Sequence, residues 1–210
     1  MLADVTDFCR LILFRHPELA AEDAGRVVGD GPATLGHRGQ AQTIEWMKLL
    51  ADLPVDRVVS SDQPQSRDAA AAIAVGKGLE VEADDRLRDQ YMGRWQGRTW
   101  DEVTAEDPDR VREFFTDFGE VAAPDGESLG AAVERFLGWW TDVRSAAVGK
   151  TIAVVSSGAM VTGFATAMLG MRLSRAVCLN LPHGGLGVLD VFANGARVAC
   201  WNPGAIRVPS

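Results

Sequence analysis

Apolar residues in this chain fall into two rhythms. Cys9 to Phe14 is an unbroken apolar run except for Arg10, and it stops on Arg15, His16 and Pro17. Such a run before a turn signal predicts a buried strand, with the polar pair at its carboxyl end. Val55–Ser61, Leu79–Ala83, Thr151–Ser156, Ala176–Leu181, Gly187–Phe192 and Ala196–Trp201 read as further strands. Thr151–Ser156 is the richest in β-branched residues and is expected at the centre of the sheet. The last two should form a hairpin turning at Asn194-Gly195.

Between the strands the rhythm becomes helical. Gly36–Ala51 should present Ile44, Met47 and Leu50 on one face, and an alanine-rich helix from Pro64 to Val75 should end at Gly76 and Gly78. Thr99-Trp100-Asp101-Glu102 fits a capping box opening a helix that breaks near Pro108, and a second amphipathic segment covers Asp109–Phe118. Leu129, Val133, Phe136, Trp140, Val143 and Ala147 form a stripe at spacings of four and three. Trp139 and Trp140 should not both face that core, and an exposed Trp139 would suggest a homodimer interface. A helix over Ala159–Leu169 follows the central strand. Strands alternating with helices predict an α/β fold, a three-layer α/β/α sandwich with a mainly parallel sheet and one antiparallel edge.

Length and composition narrow this picture. The 210 residues, 47% hydrophobic, suit one domain spanning 1–210, with a helical insertion at about 99–128. A net charge of −8 argues against nucleic acid or an anionic membrane as partner. No run reaches the ~18 apolar residues of a membrane span, and the acid-bearing start Met1-Leu2-Ala3-Asp4 lacks the pattern of a signal peptide, so a cytoplasmic location is expected. Cys9, Cys178 and Cys200 are widely spaced and read as small core residues. No metal-ligand spacing or nucleotide-binding glycine loop is present, so no metal and no cofactor are expected.

Four strand ends or loops carry polar residues: Arg15-His16, Ser60-Ser61, Arg88-Asp89 and Ser156-Ser157. Strand carboxyl ends are where open α/β sheets bind ligands. A histidine presented at such a turn can be a nucleophile, and an adjacent arginine can hold phosphoryl oxygens. Glu18 should line the same pocket, where a carboxylate would raise the pKa of His16. Tyr91, Trp95 and Trp100 could wall it for an organic substrate or belong to the core.

Several motifs in register resemble the histidine phosphatase superfamily, the phosphoglycerate mutase-like proteins, over about residues 9–192. Leu13-Phe14-Arg15-His16-Pro17-Glu18 is similar to the family's strand ending in Arg-His-Gly-Glu, and Leu35-Gly36-His37-Arg38-Gly39-Gln40-Ala41-Gln42 to its Leu-Thr-x-x-Gly-x-x-Gln. Val59-Ser60-Ser61-Asp62, Leu87-Arg88-Asp89 with Gly93-Arg94-Trp95-Gln96-Gly97, and Pro124-Asp125-Gly126-Glu127-Ser128 resemble three more of its motifs. The resemblance implies a phosphohistidine at His16, charge neutralisation by Arg15, and Asp89 as acid and base where the family usually has glutamate.

Two positions depart from the family. Its second phosphate-binding arginine falls on Gln65, and Arg67 lies about 200° around a helix from that position. Its second histidine falls on Ser157. His183, in Leu181-Pro182-His183-Gly184-Gly185, is either the compensating residue or a surface-loop histidine, and His37 should face solvent. The expected substrate-binding set is thus Arg15, Glu18, Gln65, Ser157 and His183 around His16 and Asp89, for a small, anionic phosphorylated metabolite. Two other readings stay open: acid–base chemistry on a substrate without phosphate, and a ligand-binding pseudophosphatase.

Overall fold

Alternate residues of a strand point to opposite faces of its sheet, and in Cys9–Arg15 both sets are apolar: Leu11 and Leu13 on one side, Ile12 and Phe14 on the other. A strand of this kind has to be interior, with a layer over each face. The computed structural model describes residues 7–203 and has that arrangement. Strands β1 (Cys9–Arg15), β2 (Arg57–Ser60), β3 (Val81–Ala83), β4 (Thr151–Ser156), β5 (Leu186–Phe192) and β6 (Gly195–Trp201) form one sheet in the order β3-β2-β4-β1-β5-β6. The first four are parallel. β5 runs antiparallel to β1 and β6 to β5, so the antiparallel edge is a two-stranded hairpin.

Helices α1 (His37–Leu50) and α2 (Pro64–Lys77) cover the face of Ile12 and Phe14 with Trp46, Leu50, Ala69, Ala70 and Ile73. Helices α5 (Leu129–Val143) and α6 (Gly158–Met168) cover the other, where Phe136 stacks on Phe164 at 4.3 Å between ring centroids. A separate apolar cluster of Val27, Met92, Trp95, Val103, Val111, Phe114 and Ala123 sits under α3 (Trp100–Glu106) and α4 (Pro108–Thr116). The capping box of α3 is complete: the Thr99 hydroxyl accepts from the Glu102 N–H, and the Glu102 carboxylate accepts from the Thr99 N–H.

Several expectations need correction. Ala176–Leu181 is not a strand. It lies largely in a 3-10 segment, Leu173–Leu179, because β5 already occupies the free edge of β1 and Ala176 packs instead against Leu129 and Val133. On α1 the buried stripe is Gly39, Thr43, Trp46 and Leu50, while Ile44 faces solvent. The helix is turned that way because side-chain-less Gly39 lets it press onto the Glu18 carbonyl and the Trp46 indole donates to the Gly184 carbonyl (2.8 Å). Helix α2 runs through Gly76 and stops at Gly78, which takes the left-handed conformation at φ +65°. The hairpin turns at Ala193-Asn194, one residue earlier than expected.

Trp139 and Trp140 are both buried, 2% and 7% exposed, since the core wraps the end of α5 on two sides. The homodimer expectation loses its basis with them. Cys9 is a core residue, its thiol pushed up to about 12 by burial, but Cys178 is exposed and Cys200 half-buried. The reading of the amino terminus falls almost wholly on residues 1–6, outside those described. Among the described residues no helix is long and apolar enough to cross a membrane.

Candidate active site

Parallel pairing sets Arg15 at the end of β1 beside Ser156 at the end of β4. The His16 N–H donates to the Ser156 carbonyl (2.8 Å), carrying the ladder one residue past the strand. Proline then removes the next donor and the chain turns away. One side chain of α1 fixes that turn: the Gln42 carboxamide accepts from the Glu18 N–H (2.9 Å) and donates to the His183 carbonyl (3.0 Å). His16 is thereby buried, 6% exposed, with Nδ1 3.0 Å from the Pro17 carbonyl. A carbonyl only accepts, so Nδ1 carries the proton and Nε2 the free lone pair.

The same logic assigns His183. Its Nδ1 lies 3.3 Å from the His16 carbonyl and its Nε2 2.8 Å from Nη2 of Arg15. A guanidinium only donates, so Nε2 of His183 accepts, and His183 joins the centre as an orienting partner of Arg15. Nη1 of Arg15 donates to the Leu181 carbonyl (2.8 Å), while Nε is buried without a partner. Among the described residues Arg15 forms no ion pair. Gly158, at the start of α6, has no side chain because one would collide with this guanidinium.

Asp89 comes from the irregular loop that follows β3. The Gln63 carboxamide accepts its N–H (2.8 Å) and donates to the Gly29 and Gly31 carbonyls, so one side chain ties the acid loop to the stretch after β1. The Ser156 hydroxyl donates to the Leu87 carbonyl (2.6 Å) from the other side. Arg135 of α5 completes the clamp. It holds the Glu127 carboxylate (2.6 Å) and the carbonyls of Arg86 (2.9 Å) and Asp89 (3.4 Å), while Glu127 accepts the Tyr91 N–H. The Asp89 carboxylate itself accepts from the Ser157 hydroxyl (2.5 Å) and the Gln90 N–H (2.8 Å).

Burial sets the protonation states. It pushes Asp89 up to about 6 against the pull of the Ser157 and Gln90 hydrogen bonds and of Arg15. It pulls His16 down to about 3, with His183 and Arg15 acting in the same direction and the Pro17 carbonyl opposing. His183 is lowered as well, by burial and then by Arg15. The expected increase in the His16 pKa is thus reversed by burial, and the Glu18 carboxylate is paired with Arg38 (3.3 Å). Near neutral pH the imidazole is an unprotonated nucleophile or base, facing the same cavity as a carboxyl that titrates close to that range.

The cavity has a volume of about 730 Å³ and takes in Arg15, His16, Glu18, Asp89, Ser157 and His183. Among the described residues no cluster of three or more His, Cys, Asp or Glu side chains could hold a metal ion.

A profile of the histidine phosphatase superfamily (branch 1) matches residues 11–203. The chain belongs to that superfamily. A phosphoserine phosphatase 1 from Hydrogenobacter thermophilus is 31% identical over 166 residues, 79% of this chain and 79% of that protein. A glucosyl-3-phosphoglycerate phosphatase from Mycolicibacterium vanbaalenii is 29% identical over 204 residues, 93% of this chain and 88% of that one. Among solved structures, a mycobacterial glucosyl-3-phosphoglycerate phosphatase superposes with a TM-score of 0.85 at 22% identity, covering 93% of this chain and 99% of its own. The α-ribazole phosphatase of Shigella flexneri gives 0.82 at 24%, covering 96% and 100%. The chain is a phosphoglycerate mutase-like histidine phosphatase, with phosphatases as its relatives.

Within this histidine phosphatase, one sequence expectation fails at the site. Gln65 does not reach the cavity: its carboxamide is occupied by the Ala33 N–H (3.0 Å) and the Gly31 carbonyl (3.3 Å). Arg67 is exposed and replaces nothing, as His37 is exposed too. The apolar wall is also built differently. Trp100 lines the cavity, but Trp95 is core and Tyr91 faces a separate cleft, and their places are taken by Phe114, Phe115 and Phe118. Gln63 and Arg135 were not anticipated. Nothing in the sequence distinguishes Gln63, whereas Glu127 sits in a recognised motif and could have prompted a search for its partner.

Proposed function

We propose that the protein hydrolyses a small phosphomonoester through a phosphohistidine at His16. Nε2 attacks phosphorus, the bond to the ester oxygen breaks, and Asp89 gives that oxygen its proton so that an alcohol leaves. A water then loses a proton to the Asp89 carboxylate while its oxygen attacks phosphorus. The P–N bond breaks, releasing inorganic phosphate and free His16. Arg15, steered by His183, binds the phosphoryl oxygens, and the N-terminus of α6, capped by Ser157, adds its dipole where the family's second histidine would stand. Glu18 borders the entrance.

The observation that carries this reading is one cavity with three features: an imidazole held neutral with Nε2 free, a carboxyl raised to about 6, and an arginine whose buried Nε has no partner. The net charge of −8 favours a free metabolite over nucleic acid as substrate. We read α3 and α4 as an insertion, at about 99–128, in a single domain that closes over the leaving group. The test is phosphate release from a phosphomonoester panel by the wild type and by His16→Ala, with an acid-labile phosphoryl label on His16. Release that vanishes in the variant is expected. Release from neither protein would overturn the reading in favour of acid–base chemistry on another substrate.

A further inference from the structure

The cavity is far larger than a phosphoryl group needs, falling within the ~300–1,000 Å³ that holds drug-sized ligands. Its two ends differ in chemistry. Around His16 lie the polar groups already described. Beyond them the large apolar side chains on the lining are Val27, Trp100, Phe114, Phe115, Phe118 and Val177, beside Asp23, Arg26 and Asn180. Phe115 and Val177 are 52% and 59% exposed, on two different segments that face the same space. Phe115 lies tilted against Trp100 at 5.2 Å, edge-on to Phe114 at 5.3 Å and parallel to Phe118 at 6.5 Å, and is still half-open to the cavity. Side chains of this size left half-open on a cavity wall mark a surface that a ligand covers.

Charge sharpens the point. The arginines on the lining are Arg15 and Arg26, and Arg26 spends its guanidinium on the Glu22 and Gly97 carbonyls (3.0 and 2.8 Å). The carboxylates are Glu18, Asp23 and Asp89. One phosphoryl group therefore uses Arg15, whose buried Nε has no partner. A second anionic group on the same substrate would meet Asp23 or Glu18, with only Arg26, already hydrogen-bonded to two carbonyls, to answer it.

Building on the phosphatase reading, we infer that the substrate is a phosphomonoester whose leaving alcohol is apolar or aromatic and carries no second anionic group, with Phe115 and Val177 as specificity-determining contacts. A carboxylate-bearing leaving group fits this lining poorly. Among the relatives, that sets the chain apart from the phosphoserine phosphatase and the glucosyl-3-phosphoglycerate phosphatase, whose named substrates carry such groups.

The experiment compares kcat/KM for three primary alkyl esters of similar leaving-group basicity: 2-phenylethyl phosphate, ethyl phosphate and O-phosphoserine. We expect 2-phenylethyl phosphate to exceed ethyl phosphate by on the order of a hundredfold, and O-phosphoserine to be slowest. Phe115→Ser and, on the other segment, Val177→Ser should each narrow the phenylethyl-to-ethyl ratio about tenfold or less, so that a folding failure of one leaves the other to decide. His16-dependent release that is fastest from O-phosphoserine, or a ratio that neither variant alters, would overturn the inference and leave the phosphatase reading standing. No His16-dependent release from any ester would overturn both.

Discussion

The two ends of the cavity are built by opposite means. At the phosphoryl end, Arg15, His16 and Ser157 sit at or just past the ends of adjacent parallel strands, and nearly every polar atom has a partner. At the leaving-group end the lining comes from the stretch after β1, from α3, from α4 and the residues after it, and from the 173–179 segment, with aromatic and aliphatic surfaces left half-open. Hydrogen-bonded strand ends fix atoms to the tolerance that bond-making needs. Apolar walls discriminate only by shape and area, about 1–3 kcal/mol per methylene-sized change. Chemistry is thus held where the backbone is shared, and recognition where helices can vary without disturbing it.

That contrast fails if the largest losses lie at the wrong end. Replacing the nucleophile should have the greatest effect: His16→Ala is expected to lower kcat for every ester by at least about 10⁴-fold, measured as phosphate release. Asp89→Asn comes next, at about 10²- to 10⁴-fold for alkyl esters and less for p-nitrophenyl phosphate, whose leaving group needs no proton. The pH profile tests the same pair. Attack requires His16 unprotonated, above about 3, and Asp89 protonated, below about 6, so kcat/KM for alkyl esters should fall as pH rises through about 6.

Arg135→Met, outside the cavity, should cost about ten- to a hundredfold in kcat with little change in KM, because it frees the loop that carries Asp89. Recovery in Arg135→Lys would separate this positioning role from a loss of folding. The smallest expected effect is that of Ser157→Ala, a few-fold in rate. Its hydroxyl now stabilises the Asp89 carboxylate (2.5 Å), so removing it should raise the Asp89 pKa further and move the descending limb to higher pH. A limb that moved the other way would mean that Ser157 does not donate to Asp89.

What the sequence revealed followed the same division. The strand end at Arg15-His16, the central strand at Thr151–Ser156 and the capping box at Thr99 were legible because each is a local pattern with one physical solution. Ala176–Leu181 has the composition of a strand, but whether it joins a sheet depends on a free edge, and β5, later in the chain, takes it. The Trp139-Trp140 pair misled for a related reason, since helical periodicity assumes one buried side and α5 ends enclosed on two. Gln65 was expected in the cavity by counting along the chain, yet its carboxamide is claimed by the loop at residues 31–33. His183 was visible only as an open question, because its role depends on which ring nitrogen meets Arg15.

Arg10, one of two arginines in the first strand, lies directly across from Asp190 of β5. Their side chains meet at 2.7 and 3.1 Å, and Arg197 of β6 closes on the same fully buried carboxylate at 2.9 Å. A slide of β1 by one residue would point every side chain to the opposite layer and strand that carboxylate without its partner. The ion pair therefore works as an index mark on the strand that presents the nucleophile. Anyone grafting this centre onto another sheet would have to carry across Arg10, Asp190 and Arg197 together with Arg15 and His16, although none of the three touches the reacting atoms.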